Sequence, residues 1–315
     1  MNVKKVFLSL LLAAMLCAPF TASAQVTIGS VKPPSEFSIL ELISNDARGL
    51  RLPQLTTAER NVMMETSEFQ KEKEGKAMGL MIFNTNIRCV ETWDGGRWVR
   101  SSHCPCGAYV APGDWRRFMC HNLGADTSLD PFTPHPGLHG AMFKWGTGIY
   151  ALSGAQNNAQ SPNLVGTPDW AGRGGTPPAN AADWNMATAN PCPPGFRVPT
   201  ADEWRGVISN NTIRRVGTSW TANNNPYPTG NFSSGVLVGD ALFLPTAGQR
   251  INSGVPEGRQ DQRGSTALYW SSTANSTNPN NAFNLWISIS GIGVSQGVTG
   301  NANRANGFPV RCIAE

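Results

Sequence analysis

The sequence predicts an α+β fold: a loop-rich domain of short strands and few helices, preceded by a small, mostly-β module. Three observations carry that prediction. Glycine (33) and proline (23) are abundant and only 15% of residues are charged, a composition that favours turns and short strands over long helices. Short apolar runs recur between Asn-, Ser- and Gly-rich turns. The most complete helix-start signature opens at Thr200.

The chain begins with Lys4 and Lys5, an apolar stretch from Val6 to Phe20, and Ala22-Ser23-Ala24. This order of positive, apolar and small residues predicts a secretory signal over residues 1–24, with the mature chain starting near Gln25. Cys17 follows Met15-Leu16, whereas a lipoprotein signal wants small residues before its cysteine. No later stretch approaches the roughly 18 consecutive apolar residues of a membrane-spanning helix. Loss of Lys4 and Lys5 takes the formal charge from +4 to +2, too near neutral to select nucleic acid or an anionic bilayer as a partner. The expectation is an exported protein, at the cell surface, associated with the outer membrane, or secreted.

Residues 25–103 read as the small module. Ser38 to Leu42 alternates and meets a turn signal at Asn45-Asp46, and Thr57 is positioned to cap a short helix over Ala58 to Met63. The charged run Glu65 to Lys76 reads as a solvated loop. Gly79 to Thr85 and Arg88 to Trp93 read as strands, and the turn Asp94-Gly95-Gly96 leads into Arg97-Trp98-Val99, a pattern of hairpins.

Residues 104–315 read as the larger domain. Ser153 to Asn190 is crowded with Gly, Pro, Asn and Ala and predicts irregular loop. Thr200 with Glu203 three residues on makes a capping box for a helix running to about Ser209. Leu242 to Pro245, Leu268 to Trp270, Leu285 to Ile289 and Val310 to Cys312 read as strands. The ten tryptophans are large enough to fill much of such a core, with some available to line a surface.

Without Cys17, six cysteines remain: Cys89, Cys104, Cys106, Cys120, Cys192 and Cys312. An even count in an oxidising compartment predicts three disulfides, and about 15 pairings are open. The favoured set is Cys89 with Cys104, Cys106 with Cys120, and Cys192 with Cys312: two short local loops and one bridge between the ends of a domain. A zinc site of Cys104, Cys106, Cys120 and His121 is disfavoured, because its spacing matches no standard module.

Two resemblances refine this reading. Gly49-Leu50, Leu52-Pro53, Leu55-Thr56, Arg60, Gly79-Leu80, Ile82-Phe83-Asn84-Thr85, Cys89, Trp93, Gly95 and Trp98-Val99 resemble the leader module of surface and tail-fibre-like proteins of the Bacteroidetes. That implies display or assembly outside the cytoplasm, with homo-oligomerisation through this module. Cys192-Pro193-Pro194-Gly195-Phe196-Arg197-Val198-Pro199-Thr200, Glu203-Trp204, Leu244-Pro245-Thr246-Ala247-Gly248, Tyr269-Trp270-Ser271-Ser272-Thr273 and Val310-Arg311-Cys312 resemble the Fibrobacter succinogenes major paralogous domain. Trp115, Phe118 and Asn122-Leu123-Gly124 resemble its opening. That family is similar to C-type lectin-like and formylglycine-generating-enzyme folds. The resemblance implies a disulfide from an early helix region to the last strand, where Cys192 and Cys312 stand.

The chemistry is mostly eliminated. A lectin-type calcium site needs several oxygen ligands, yet from Trp204 to Ala314 the acidic residues are Asp240, Glu257 and Asp261. Asp202-Glu203 belongs to a helix start, where carboxylates are favoured by cap and dipole. His135 and His139 flank Pro136-Gly137, which argues against a shared helical face. No enzyme, cofactor or metal is expected. The candidate ligand-binding residues are Trp220, Trp270, Trp286, Asn275 and Asn284, against a reading in which the tryptophans are core and the asparagines turn formers. Two functions remain: adhesion to a glycan, or to a host, matrix or envelope protein, through a C-type-lectin-like domain; and a structural or assembly role without a small-molecule ligand.

Overall fold

The computed structural model describes residues 26–28, 40–42, 50–101, 104–159, 170, 173–217, 220–222, 232–253, 257–295 and 302–315. The expected signal segment, Cys17 and the turn at Asn45-Asp46 lie outside these residues. The chain divides into two compact units, Met1–Leu52 and Pro53–Glu315. In the first, β1 (Val26–Ile28) and β2 (Leu40–Leu42) pair in parallel.

The second unit opens with β3 (Gln54–Leu55), α1 (Thr57–Glu65), α2 (Ser67–Glu72), β4 (Met81–Asn84), β5 (Cys89–Trp93) and β6 (Trp98–Arg100). The four strands form one sheet in the order β3-β4-β5-β6. The cap of α1 is Thr56, one residue before the expected Thr57. Only Thr56 has a glutamate three residues ahead, and Glu59 closes a reciprocal capping box with it, its carboxylate accepting from Thr56 N at 2.7 Å. The charged run is likewise not all loop. Phe69 is buried and packs edge-on against Trp93 at 5.1 Å, so one apolar residue anchors α2 over the sheet.

The rest of this unit contains β7 (Cys106–Ala111), β8 (Asp114–Phe118), α3 (Gly154–Ala159), α4 (Met186–Ala189), β9 (Phe196–Arg197), α5 (Ala201–Asn210), β10 (Ile213–Val216), β11 (Gly235–Val238), β12 (Leu242–Pro245), β13 (Gln249–Ile251), β14 (Arg259–Asp261), β15 (Thr266–Ala274), β16 (Ala282–Ser288), β17 (Ile292–Ser295) and β18 (Ile313–Ala314). They build small sheets ordered β7-β8-β18-β9, β10-β11-β12, β13-β14 and β15-β16-β17. The outcome is sheet-rich and loop-rich with few helices, consistent with the α+β expectation. Helix α5 has the expected capping box at Thr200, and Glu203 also pairs with Arg197 at 2.6 Å. Two short helices, α3 and α4, fall in the stretch read as irregular loop. Val310 to Cys312 is not laddered strand; the laddered residues are Ile313 and Ala314.

Two large clusters form the core. Trp204, Val207, Leu242, Leu244, Tyr269, Leu285 and Ile313 centre the first. Trp145, Trp184, Trp270, Phe308 and Cys312 centre the second. Tryptophan does fill this core, and each buried indole finds an acceptor: Trp145 donates to Ser271 O, Trp204 to Trp270 O and Trp170 to Ala305 O.

Candidate functional site

The six cysteines pair as favoured: Cys89 with Cys104, Cys106 with Cys120 and Cys192 with Cys312, at Cα separations of 5.2, 5.1 and 6.0 Å. Cys89, Cys104, Ile87 and Ala241 share a small cluster, and the Arg100 guanidinium donates to Asp240 O. The sheet of β3 to β6 is thereby tied to β11 and β12.

Trp270 is fully buried, stacks on Phe308 at 4.1 Å and donates to Phe143 O. Asn284 lies opposite it in the β15–β16 ladder and is also fully buried. Asn275 is buried and accepts from Thr277 and Asn278, closing an Asx-type turn after β15. Burial removes these three from any exposed binding surface, which corrects that part of the expectation. For Trp270 and Asn284 the physical reason is that alternate residues of β15 and β16 face the second core cluster; Asn275 is drawn in by the turn it closes. Trp286 is half-buried against the same cluster, and Trp220 is half-buried against the first. The five candidates therefore build no common exposed site.

The two histidines also part company. His135 accepts from Gly137 N and caps a short 3₁₀ turn. His139 is fully buried, its ring 4.9 Å from that of Phe232, with no hydrogen-bond partner for either ring nitrogen. Burial is the largest cause holding its pKa well below the ordinary value, followed by the charge of Arg263. Asp240 pairs with Arg214 at 3.6 Å and Asp261 accepts from Gln249. Among the described residues no group of three or more His, Cys, Asp or Glu side chains is placed to hold a metal.

A polar cleft of about 410 Å³ runs between α1 and the β7–β8 and β10–β11 strands, lined by Asn61, Asn86, Tyr109, Trp115, Asn211 and Arg214 among others. Its amides already serve the fold. Asn211 bridges Tyr109 N and O to Val207 O, Asn86 accepts from Thr57 N, and Asn61 accepts from Arg60. The cleft is a packed seam more than a set of free recognition groups.

The sheet of β3 to β6 has two unlike faces. Register places Ile82, Asn84, Cys89, Glu91, Trp93, Trp98 and Arg100 on the inner face, beneath α1 and α2. There Glu91 is buried and accepts from Arg60 at 2.7 Å and Asn84 at 2.8 Å, while Trp93 Nε1 donates to Lys73 O. The outer face carries Gln54, Met81, Phe83, Val90, Thr92 and Val99. Met81, Thr92 and Val99 stand opposite one another across three strands, and Met81 and Val99 are 45% and 40% exposed. Among the described residues, six of the nine exposed large apolar side chains lie between Leu50 and Val99. Alternation along these strands marks two faces without marking which one a neighbour covers.

Residues 27–113 are similar to the phage tail like trimerisation region. The matched stretch takes in all of β2 to β7, including the sheet with the apolar outer face. It covers less than half of the chain, and it is a different family from the Fibrobacter domain that the later residues resemble. No curated protein and no solved structure matches the chain. Homo-oligomerisation is what this similarity suggests. Among the described residues no helix is long and apolar enough to cross a membrane.

Proposed function

We propose that this chain is an exported, non-enzymatic assembly protein in which the N-terminal module gathers three copies and residues 104–315 are displayed as a C-type-lectin-like domain. The observation that carries the reading is the similarity of residues 27–113 to a trimerisation region. The signal-like start supports export, and the Cys192–Cys312 bridge lends support to the lectin-like reading of the displayed part. The test is sedimentation equilibrium of the oxidised full-length protein. A mass of three chains is expected, and a single-chain mass at micromolar concentration refutes the assembly role.

A second reading, adhesion by the displayed domain, draws on an open apolar groove of about 520 Å³ lined by Leu123, Ala141, Phe143 and Pro191, with Ile149 and Tyr150 exposed at its edge. Glycan and protein arrays probed in calcium and again in chelator test it. Saturable binding lost in a Tyr150→Ala variant supports adhesion, and flat arrays leave assembly as the whole role.

A further inference from the structure

Resting on the trimeric reading above, we infer that the outer face of the β3 to β6 sheet is the seam at which three copies of this chain meet. The inner face is already occupied by α1 and α2 through Phe69, Met64 and Arg60. An antiparallel meander such as β4 to β6, covered on one face, ordinarily turns polar side chains to water on the other. Here the outward positions are Gln54, Met81, Phe83, Val90, Thr92 and Val99, four of the six apolar, and the register aligns Met81, Thr92 and Val99 into one ladder. Exposed Met81 and Val99 flank part-buried Thr92, with part-buried Phe83 and Val90 beside them, and a contiguous, partly exposed apolar patch of this kind marks an interaction surface.

The surroundings fit an interface between copies. Each end of the β5 strand meets a turn with exposed charged residues, Arg88 at one end and Asp94 and Arg97 at the other. An apolar centre with a charged rim is the usual anatomy of a protein interface. The face lies within residues 27–113, the stretch similar to a trimerisation region, which identifies the occupant as a second and third copy. A closed three-fold ring repeats one heterologous contact around its axis, so a face set along that axis meets its counterpart on both other copies.

The test compares the oxidised full-length protein with a Met81→Lys/Val99→Lys variant by sedimentation equilibrium. An Ile289→Lys/Ser290→Lys variant controls for two lysines placed at exposed positions elsewhere. Because Met81 and Val99 are part-exposed, lysine should leave the fold intact, which far-UV circular dichroism verifies. The expected result is three-chain mass for the wild type and the control, and a threefold loss of mass for the ladder variant. A folded ladder variant that stays trimeric overturns the seam while the trimeric reading stands. A monomeric wild type overturns both. If the ladder variant misfolds, a nitroxide on Val99→Cys decides: short-range coupling between labels on neighbouring copies of a trimer is expected, and its absence overturns the seam.

Discussion

His139 shows how a single buried side chain couples stability to pH. In the fold its pKa lies well below 6.5, chiefly through burial and then through the charges of Arg263 and His135. An unfolded histidine titrates near 6.5. Between these values the unfolded chain binds a proton that the folded chain does not, so this contribution is fully present above about pH 6.5. It declines as pH falls toward the folded value, by up to about 1.4 kcal/mol per pH unit. Urea midpoints at neutral and at mildly acid pH should therefore drop less for His139→Leu than for the wild type; equal drops refute the assignment. Glu91 makes a second prediction at this scale. Its carboxylate is buried between Arg60 and Asn84, with Arg100 at 4.0 Å. Arg60→Leu leaves a buried charge short of its closest partner and should cost about 3 kcal/mol in denaturant titration. Residue identity announced neither effect. His139 sits in a segment that reads as loop, and Glu91 in one that reads as ordinary hairpin, because burial is set by neighbours far along the chain.

The elements were more legible, and the reason is local chemistry. Hairpins β4 to β6 follow from alternation and turn residues, and the cap of α5 from Thr200 and Glu203, all within a few residues of one another. What local chemistry does not carry is which face of an element another element covers. Trp270 and Asn284 read equally well as surface groups until β15 and β16 are seen to face the core, and α2 exists because Phe69 reaches Trp93. Helix α5 also carries a glycine that propensity alone would replace. A Cβ on Gly206 would stand 1.7 Å from the Val110 carbonyl oxygen of β7, so the helix backbone lies almost directly on the strand. Gly206→Ala should lower the melting temperature even though alanine is the better helix former by about 1 kcal/mol; a rise would mean that the contact is slack. Removing the cap with Thr200→Ala should cost about 1 kcal/mol, read in the same titration.

At the scale of the molecule the bridges differ in reach. Cys106–Cys120 spans 14 residues and Cys192–Cys312 spans 120. If bridges stabilise mainly by restricting the unfolded chain, loss of the long one should cost about 4 to 5 kcal/mol against about 3 for the short one. Paired serine variants compared by thermal unfolding should rank in that order, and the reverse ranking would show that local packing around Cys106 outweighs loop length. The cysteine pairing is also the long-range feature the sequence conveyed best. Few reactive partners existed, and each pairing had to close a plausible loop.

The β7-β8-β18-β9 sheet carries one more consequence. Its inner strand, β18, pairs with both β8 and β9, and Arg311 just before it is buried, donating to Asn122 and to the carbonyls of Met119 and Cys120. A chain delivered amino end first presents β7 and β8 long before residues 311–314 emerge. Until then the slot between β8 and β9 stands empty and Cys192 has no mate. One short C-terminal segment thus both fills the gap between two strands and supplies the partner of the 120-residue bridge.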